Sequence, residues 1–160
     1  MSIRAMTKAD FESFWSTFLQ IVKEQESYTY SPDIDFEEAY EIWCKKPMRT
    51  FIYEKDGKIC GSYYIKNNTQ SLGKNVCNCG YMVAPNFRNQ GIATMLCNHS
   101  QNVARELGFK AMQFNAVIST NVVAVYLWKK LGFEIIERLP NAFLHKNFGY
   151  VDCYIMYKEL

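Results

Sequence analysis

The sequence predicts an α/β (α+β) layered domain built on a mixed sheet. Three observations carry this. Two strand-like runs, Thr50–Tyr53 and Ile59–Lys66, flank Lys55-Asp56-Gly57-Lys58, a hairpin signal through Asp-Gly. From Val76 onward, strand-like and helix-like patterns alternate to the end of the chain. Nothing divides the 160 residues, which show no repeat, low-complexity tract or linker, so one domain over 1–160 with a real core is expected.

Ile3–Met6 reads as a short first strand. Asp10 is placed to cap a helix reaching about Glu26, with Phe11, Phe14, Trp15, Phe18, Leu19 and Val22 on one broad apolar face. Residues 28–34 form a loop around Pro32, and Phe36–Cys44 a second helix. After the hairpin, Val76–Val83 is the next strand, and Pro85 ends it because proline cannot continue a ladder. Ile92, Met95, Leu96, His99, Val103 and Leu107 then recur at helical spacing. Gly108 supplies a left-handed stop. Ala111–Val117 is a strand, a helix begins at Asn121, and Phe133–Leu139 with Val151–Lys158 close the chain as an antiparallel pair around a polar loop, Asn141–Phe148.

Composition excludes several function classes. Eighteen Lys+Arg against 16 Asp+Glu leave no electrostatic footprint for nucleic acid. No apolar run is long enough to span a bilayer and no signal-peptide pattern opens the chain, so a cytoplasmic protein with no membrane partner is expected. Six cysteines sit mostly in apolar surroundings, which suits free buried thiols. Cys77-x-Cys79 has the wrong spacing for a structural zinc site and simply shares one strand face, so no metal is expected.

The join between Val83 and Ala93 is the most informative stretch. Its strand-to-helix turn leaves first-turn N–H groups without intrahelical partners, and the helix dipole adds partial positive charge. Gly91 lets another group approach the backbone closely. A phosphate or pyrophosphate is the natural ligand for such a turn. The glycines match neither a dinucleotide fingerprint nor a Walker A loop.

The pattern Arg88-x-x-Gly91-x-Ala93 resembles the acetyl-CoA pyrophosphate loop of the GNAT N-acetyltransferase superfamily. A second segment, residues 119–133, is similar to that family's N-x-x-A-x-x-L-Y-x-K-x-G-F motif at Asn121, Ala124, Leu127, Lys130, Gly132 and Phe133. The two motifs stand at the family's separation and in its element order. The likeness is strong over residues 76–158 and an outline before them.

The resemblance implies a GNAT-like mixed, mostly antiparallel sheet flanked by helices, with a splayed strand pair for the cofactor. The pair would be the strand ending at Val83 and the strand containing Gln113–Val117. It implies acetyl-CoA as acetyl donor, with Met82 and Val83 on the pantetheine arm. Arg88, Asn89, Gln90, Gly91, Ile92 and Ala93 would hold the pyrophosphate, and Asn121 the cofactor arm. The partner implied is a small-molecule amine acceptor, and family members often form homodimers. Acetyl transfer to a small amine or amino acid stands beside two other readings, transfer to a protein or peptide and an acyl-CoA-binding module without catalysis.

The chain departs from the family at the catalytic positions. The family's general-acid tyrosine falls on Trp128, whose indole is too weak an acid; the residue either lines the pantetheine arm or fills the core. Tyr126 lies nearly opposite Trp128 on the helix and cannot replace it. The glutamate many members carry before the loop is missing from Asn78–Val83. Tyr30, Glu41, His145, Tyr150 and Asp152 have suitable chemistry to replace it; His145 is expected in the solvated Asn141–Phe148 loop, and Tyr150 and Asp152 as pocket lining or structure. His99 falls on the apolar stripe of its helix and satisfies a core hydrogen bond. Tyr28, Tyr30, Phe36, Tyr40 and Trp43 form a dense aromatic run. They either pack two helices onto the sheet or, through Tyr28 and Tyr30, cover an acceptor pocket.

Overall fold

A computed structural model describes residues 2–160. Seven strands form one sheet in the order β1-β2-β3-β4-β5-β7-β6. They are β1 Ser2–Ala5, β2 Arg49–Lys55, β3 Lys58–Asn67, β4 Val76–Val83, β5 Ala111–Ile118, β6 Glu134–His145 and β7 Gly149–Glu159. Helices α1 Lys8–Lys23, α2 Phe36–Tyr40, α3 Ile92–Glu106 and α4 Val122–Lys130 connect them. Every strand pair is antiparallel except β4 with β5.

Alternation along the strands separates two cores. On one face Tyr63, Ile65 and Cys77 pack with Leu96 and Cys97 of α3, Trp128 of α4 and Phe133. On the other, Tyr64 and Met82 pack with Phe11, Phe14, Phe18 and Val22 of α1 and with Trp43. Tyr63 and Tyr64, adjacent in sequence, thus serve opposite cores. No helix among the described residues is long and apolar enough to cross a membrane.

Three local differences from the sequence expectations have physical causes. The first helix is capped by Thr7, and Asp10 closes the capping box from the third position. Asp10 also receives Arg4 at 2.7 Å and 2.9 Å, tying β1 to α1. The second helix widens after α2 into a π-turn, Glu41–Lys45, closed by Lys46 N–H on the Glu41 carbonyl at 2.9 Å. There Trp43 is wholly buried, its indole N–H donates to Ser62 Oγ (2.9 Å), and its carbonyl accepts from the Thr50 hydroxyl (2.6 Å).

The third difference lies at the far edge. The expected loop 141–148 is mostly strand, because β6 runs on to His145 and β7 starts at Gly149. A register shift between Leu139 and Phe143 absorbs Pro140 and a left-handed Asn141 (φ 52°). Asp152 holds that bulge, accepting from Asn141 N–H (3.0 Å) and from Arg138 (2.8 Å). Proline and asparagine resemble a loop in sequence, yet an edge strand tolerates both.

Arg4 and the Thr7 backbone hold the Asp10 carboxyl well below the usual carboxylate range. A depressed folded pKa contributes stability that is present above the unfolded value and lost as pH falls through the folded one. Urea unfolding of wild type and Asp10→Asn should therefore differ at pH 7 and converge toward pH 2. Equal differences at both pH values would remove this linkage.

Candidate active site

The site begins where the β4–β5 ladder stops. Only Val76↔Ala111 and Cys77↔Met112 are paired. At the next step the Asn78 side-chain amide donates to the Gln113 carbonyl at 2.9 Å, replacing a backbone bond. Beyond it the strands part, leaving a gap through the sheet. The phase of the β3–β4 ladder is set by Ala84 N–H on Cys60 and Asn68 N–H on Val76. It turns the backbone groups of Met82 toward Ser62 of β3 and those of Cys79, Tyr81 and Val83 toward the gap. The expected role of Met82 on the cofactor arm is therefore corrected: its backbone serves the sheet and its side chain the α1 core. Tyr28, from the loop after α1, reaches the gap and donates its hydroxyl to the Tyr81 carbonyl at 2.5 Å.

At one end of the gap stands the start of α3. A short turn, Pro85–Phe87, precedes it, and Gly91 is its N-cap with φ +75° and no side-chain cap. The first helical bond from this turn is Met95 N–H to the Gly91 carbonyl at 3.0 Å, so the N–H groups of Ile92 and Ala93 have no helical partner. The first turn carries no acidic residue, and a Cβ on Gly91 would meet nothing within 4 Å. This is an open cradle of N–H groups suited to an anion. The Arg88 side chain points elsewhere, onto Glu24 at 2.8 Å at the end of α1. Gln90 turns back onto the Asn86 carbonyl (3.4 Å). Asn121 caps α4, its Oδ1 accepting from Ala124 N–H at 3.2 Å.

Two cavities open into the gap. One, of about 320 Å³, is lined by Tyr28, Tyr30, Tyr64, Lys66 and Asn78 on the α1 face and by Ala124 and Trp128 on the α3–α4 face. The other, of about 550 Å³, is lined by Glu24, Glu26, Val83, Arg88, Thr120 and His145 among others. Both are lined by Ser27, Tyr28, Tyr81 and Asn121, so the two adjoin across these residues and make up the candidate cleft. Trp128 packs on Tyr81 (5.1 Å) and Phe114 (5.0 Å) in the core and also lines the smaller cavity. Tyr126 is 70% exposed on the opposite side of α4.

The expected catalytic residues divide sharply. Tyr30 lines the cleft, but burial pushes its hydroxyl up to about 12, too weak an acid for a thiolate and too basic to be ionised. Tyr150 is exposed and outside both cavities, and Asp152 is committed to the β6 bulge. Glu41 pairs with Lys45 at 3.3 Å on the π-turn, away from the cleft. His145 is not a solvated loop residue: it is 6% exposed at the end of β6, and its Nδ1 accepts from Asn147 and Phe148 N–H at 3.0 and 3.3 Å. His99 meets Tyr63 through Nδ1 at 2.7 Å, a core bond.

Sequence reading missed Glu24, Tyr64, Lys66, Asn78 and Thr120. Asn78 opens the segment Asn78–Val83 in which the resemblance looked for a glutamate, and its amide bridges the two strands at the root of the gap. Burial, with Lys46 nearby, lowers the Lys66 pKa from its ordinary value, and its ammonium lies over the Tyr64 ring at 5.2 Å. Only period-two alternation from Tyr64 and Asn78 could have marked Lys66 as lining.

Residues 11–133 match the acetyltransferase (GNAT) family. The chain belongs to that family. N-acetyltransferase aca1 of Schizosaccharomyces pombe is 30% identical over 151 residues, 94% of this chain, and the chain spans 66% of that relative's length. YjgM of Escherichia coli, an uncharacterized N-acetyltransferase, is 28% identical over 80% of this chain and 74% of its own. Among solved structures, a GCN5-related N-acetyltransferase from Kribbella flavida superposes with a TM-score of 0.93 at 36% identity, covering 99% of this chain and 97% of the other. The fold of yncA from Salmonella typhimurium, solved with its cofactor acetyl-CoA, superposes at 0.83 with 19% identity, covering 100% and 94%. The GNAT fold and its mostly antiparallel sheet are as the resemblance implied.

Tyr28→Phe should leave the Tyr81 carbonyl without its donor. The expected loss is about 1 kcal/mol of stability, read from urea unfolding. An unchanged midpoint would show that the bond contributes nothing to folding.

Proposed function

We propose that this protein is an acetyl-CoA-dependent N-acetyltransferase acting on a primary amine of a small molecule or amino acid. One observation supports it above the rest: at a severed strand pair, adjoining cavities run from an aromatic wall at Tyr28 and Tyr30 to Arg88 and Asn89, just ahead of an uncapped helix start. In this reading the backbone N–H groups from Asn89 to Ala93 hold the pyrophosphate. The gap-facing groups of Tyr81 and Val83 hold the pantetheine arm, and Asn121 and Trp128 flank it. The arginine side chain contributes less than the resemblance implies while Glu24 holds it.

Acetyl-CoA supplies an activated acyl group. Everything else falls to orientation, since Tyr28, Tyr30 and Tyr64 are all pushed above the ordinary tyrosine value by burial and none is an efficient acid or base. The amine nitrogen forms its bond to the carbonyl carbon as the carbon–sulfur bond breaks. The proton it sheds passes to water in the open cleft, and the thiolate takes one up. Holding the amine close to the carbonyl is the larger part of such catalysis. Glu26, at the cavity rim, draws an ammonium toward it.

The purified protein should be incubated with acetyl-CoA and a pool of amino acids, polyamines and peptides, and products sought by mass spectrometry. Acetylated small amines are expected. Acetylated peptides alone would select the protein or peptide reading. Absence of product with acetyl-CoA still bound would select the module without catalysis. In parallel, Gly91→Val is expected to weaken acetyl-CoA binding at least roughly ten-fold by calorimetry, because a side chain would fill the cradle and strain a left-handed backbone. Retained binding would sink the assignment of the loop.

Tyr30 stacks on Tyr28 at 5.3 Å and on Phe18 at 6.1 Å, so it is both core and cleft wall. Tyr30→Ala should raise the acceptor KM and leave the acetyl-CoA KM unchanged. A joint rise in both would place the residue outside the acceptor pocket.

A further inference from the structure

The smaller cavity is lined by a single charged side chain. Lys66 stands there among tyrosines, amides, Cys79 and apolar residues, with no carboxylate in the lining. Among the described residues it makes no ion pair. Partial burial, and then the charge of Lys46, disfavours its ionised form. A partly desolvated cation beside a like charge, with no acid to answer it, is relieved by an anion bound next to it.

Strand register places this charge close to the chemistry. Lys66 of β3 stands opposite Asn78 of β4, and Tyr64 opposite Gly80. Period two puts Tyr64 and Lys66 on the same, α1-facing side of the sheet. A Cβ on Gly80 would lie 2.6 Å from the Tyr64 ring, so that ring rests on bare β4 backbone. Its hydroxyl donates to Asn78 Oδ1 at 3.2 Å. The Lys66 ammonium lies over the same ring, 5.2 Å from its centre, which holds it at the cavity wall. Directly opposite residues of an antiparallel pair have Cβ atoms about 5 Å apart. Lys66 is thus one cross-strand step from Asn78, the residue at which β4 and β5 part.

We infer that Lys66 binds a carboxylate carried by the acceptor, so that the substrate class is an amino acid rather than a simple amine. The inference rests on the proposed acetyl transfer and deepens it. One ammonium balances one negative charge, which suits a carboxylate better than a doubly charged phosphate, and it repels the extra cations of a polyamine. Glu26, of opposite sign, lines only the adjoining cavity, so no acid in the smaller one competes for Lys66. The aromatic rings of Tyr28, Tyr30 and Trp128 are left to receive the apolar part of the acceptor.

The test compares three matched acceptors: the amino acid best acetylated in the product screen, its α-carboxamide and its decarboxylated amine. Each is measured with wild type, Lys66→Met and Lys66→Arg. Wild type should prefer the acid over both others. That preference in kcat/KM should fall about ten-fold or more in Lys66→Met, and Lys66→Arg should keep most of it, because the charge is restored. The KM for acetyl-CoA should not move. The inference is overturned if wild type uses the carboxamide as well as the acid. It is equally overturned if Lys66→Met keeps the preference, or if all three acceptors fall together in that variant, the mark of a merely structural role. A screen that returns only simple amines or peptides overturns the inference and leaves acetyl transfer standing. Absence of any product while acetyl-CoA binds overturns the transfer reading itself, and the carboxylate subsite with it.

Discussion

The whole arrangement depends on one broken ladder. A parallel pair that continued past Cys77 and Met112 would satisfy every backbone group of β4 and leave no cleft. Asn78 ends it by spending its side-chain amide on the carbonyl of Gln113, so the separation starts from a satisfied bond rather than a frayed one. From there the main-chain groups of Cys79, Tyr81 and Val83 face the gap instead of a partner strand. Tyr28 fills part of it from the α1 side, and a ligand with an amide-bearing arm suits what is left.

The two faces of the gap are built differently, and packing explains why. On the α3–α4 face the wall is a helix start with free N–H groups above a core of Leu96, Cys97 and Phe133. On the α1 face the wall is aromatic and carries hydroxyls, because Phe11, Phe14, Phe18 and Trp43 already fill the space beneath. Tyr28 and Tyr30 lie over that layer, their rings held by stacking and their edges turned to the cleft. One face is thus suited to an anion and the other to a small organic molecule.

Much of this was legible in the sequence, for reasons that can be stated. Strong period and punctuation located β4, α3 and β5 almost to the residue: Val76–Val83 is unchanged, and Ile92–Glu106 and Ala111–Ile118 differ by one residue. The helix start at Gly91 was visible because glycine and proline mark turns by their backbone alone. What stayed hidden was long-range. His145 seemed a loop residue because Pro140 and Asn141 imitate a turn, and only the cross-strand hold of Asp152 makes them a bulge. Met82 was assigned to the cofactor because strand phase depends on the partner strand. Lys66 and Thr120 carry no local signal; they matter through the cavity they line.

The bulge in β6 has a bearing on how the molecule avoids itself. β6 is the outermost strand, twelve residues long and largely exposed. Such an edge offers a row of unpaired main-chain groups to any passing strand. Pro140 lacks the N–H that pairing would need, and the left-handed Asn141 throws the following residues out of step. Glu134, Glu137 and Arg138 add charge along the same border. The irregularity that hid the second half of this strand in the sequence also guards its free border against seeding a larger, intermolecular sheet.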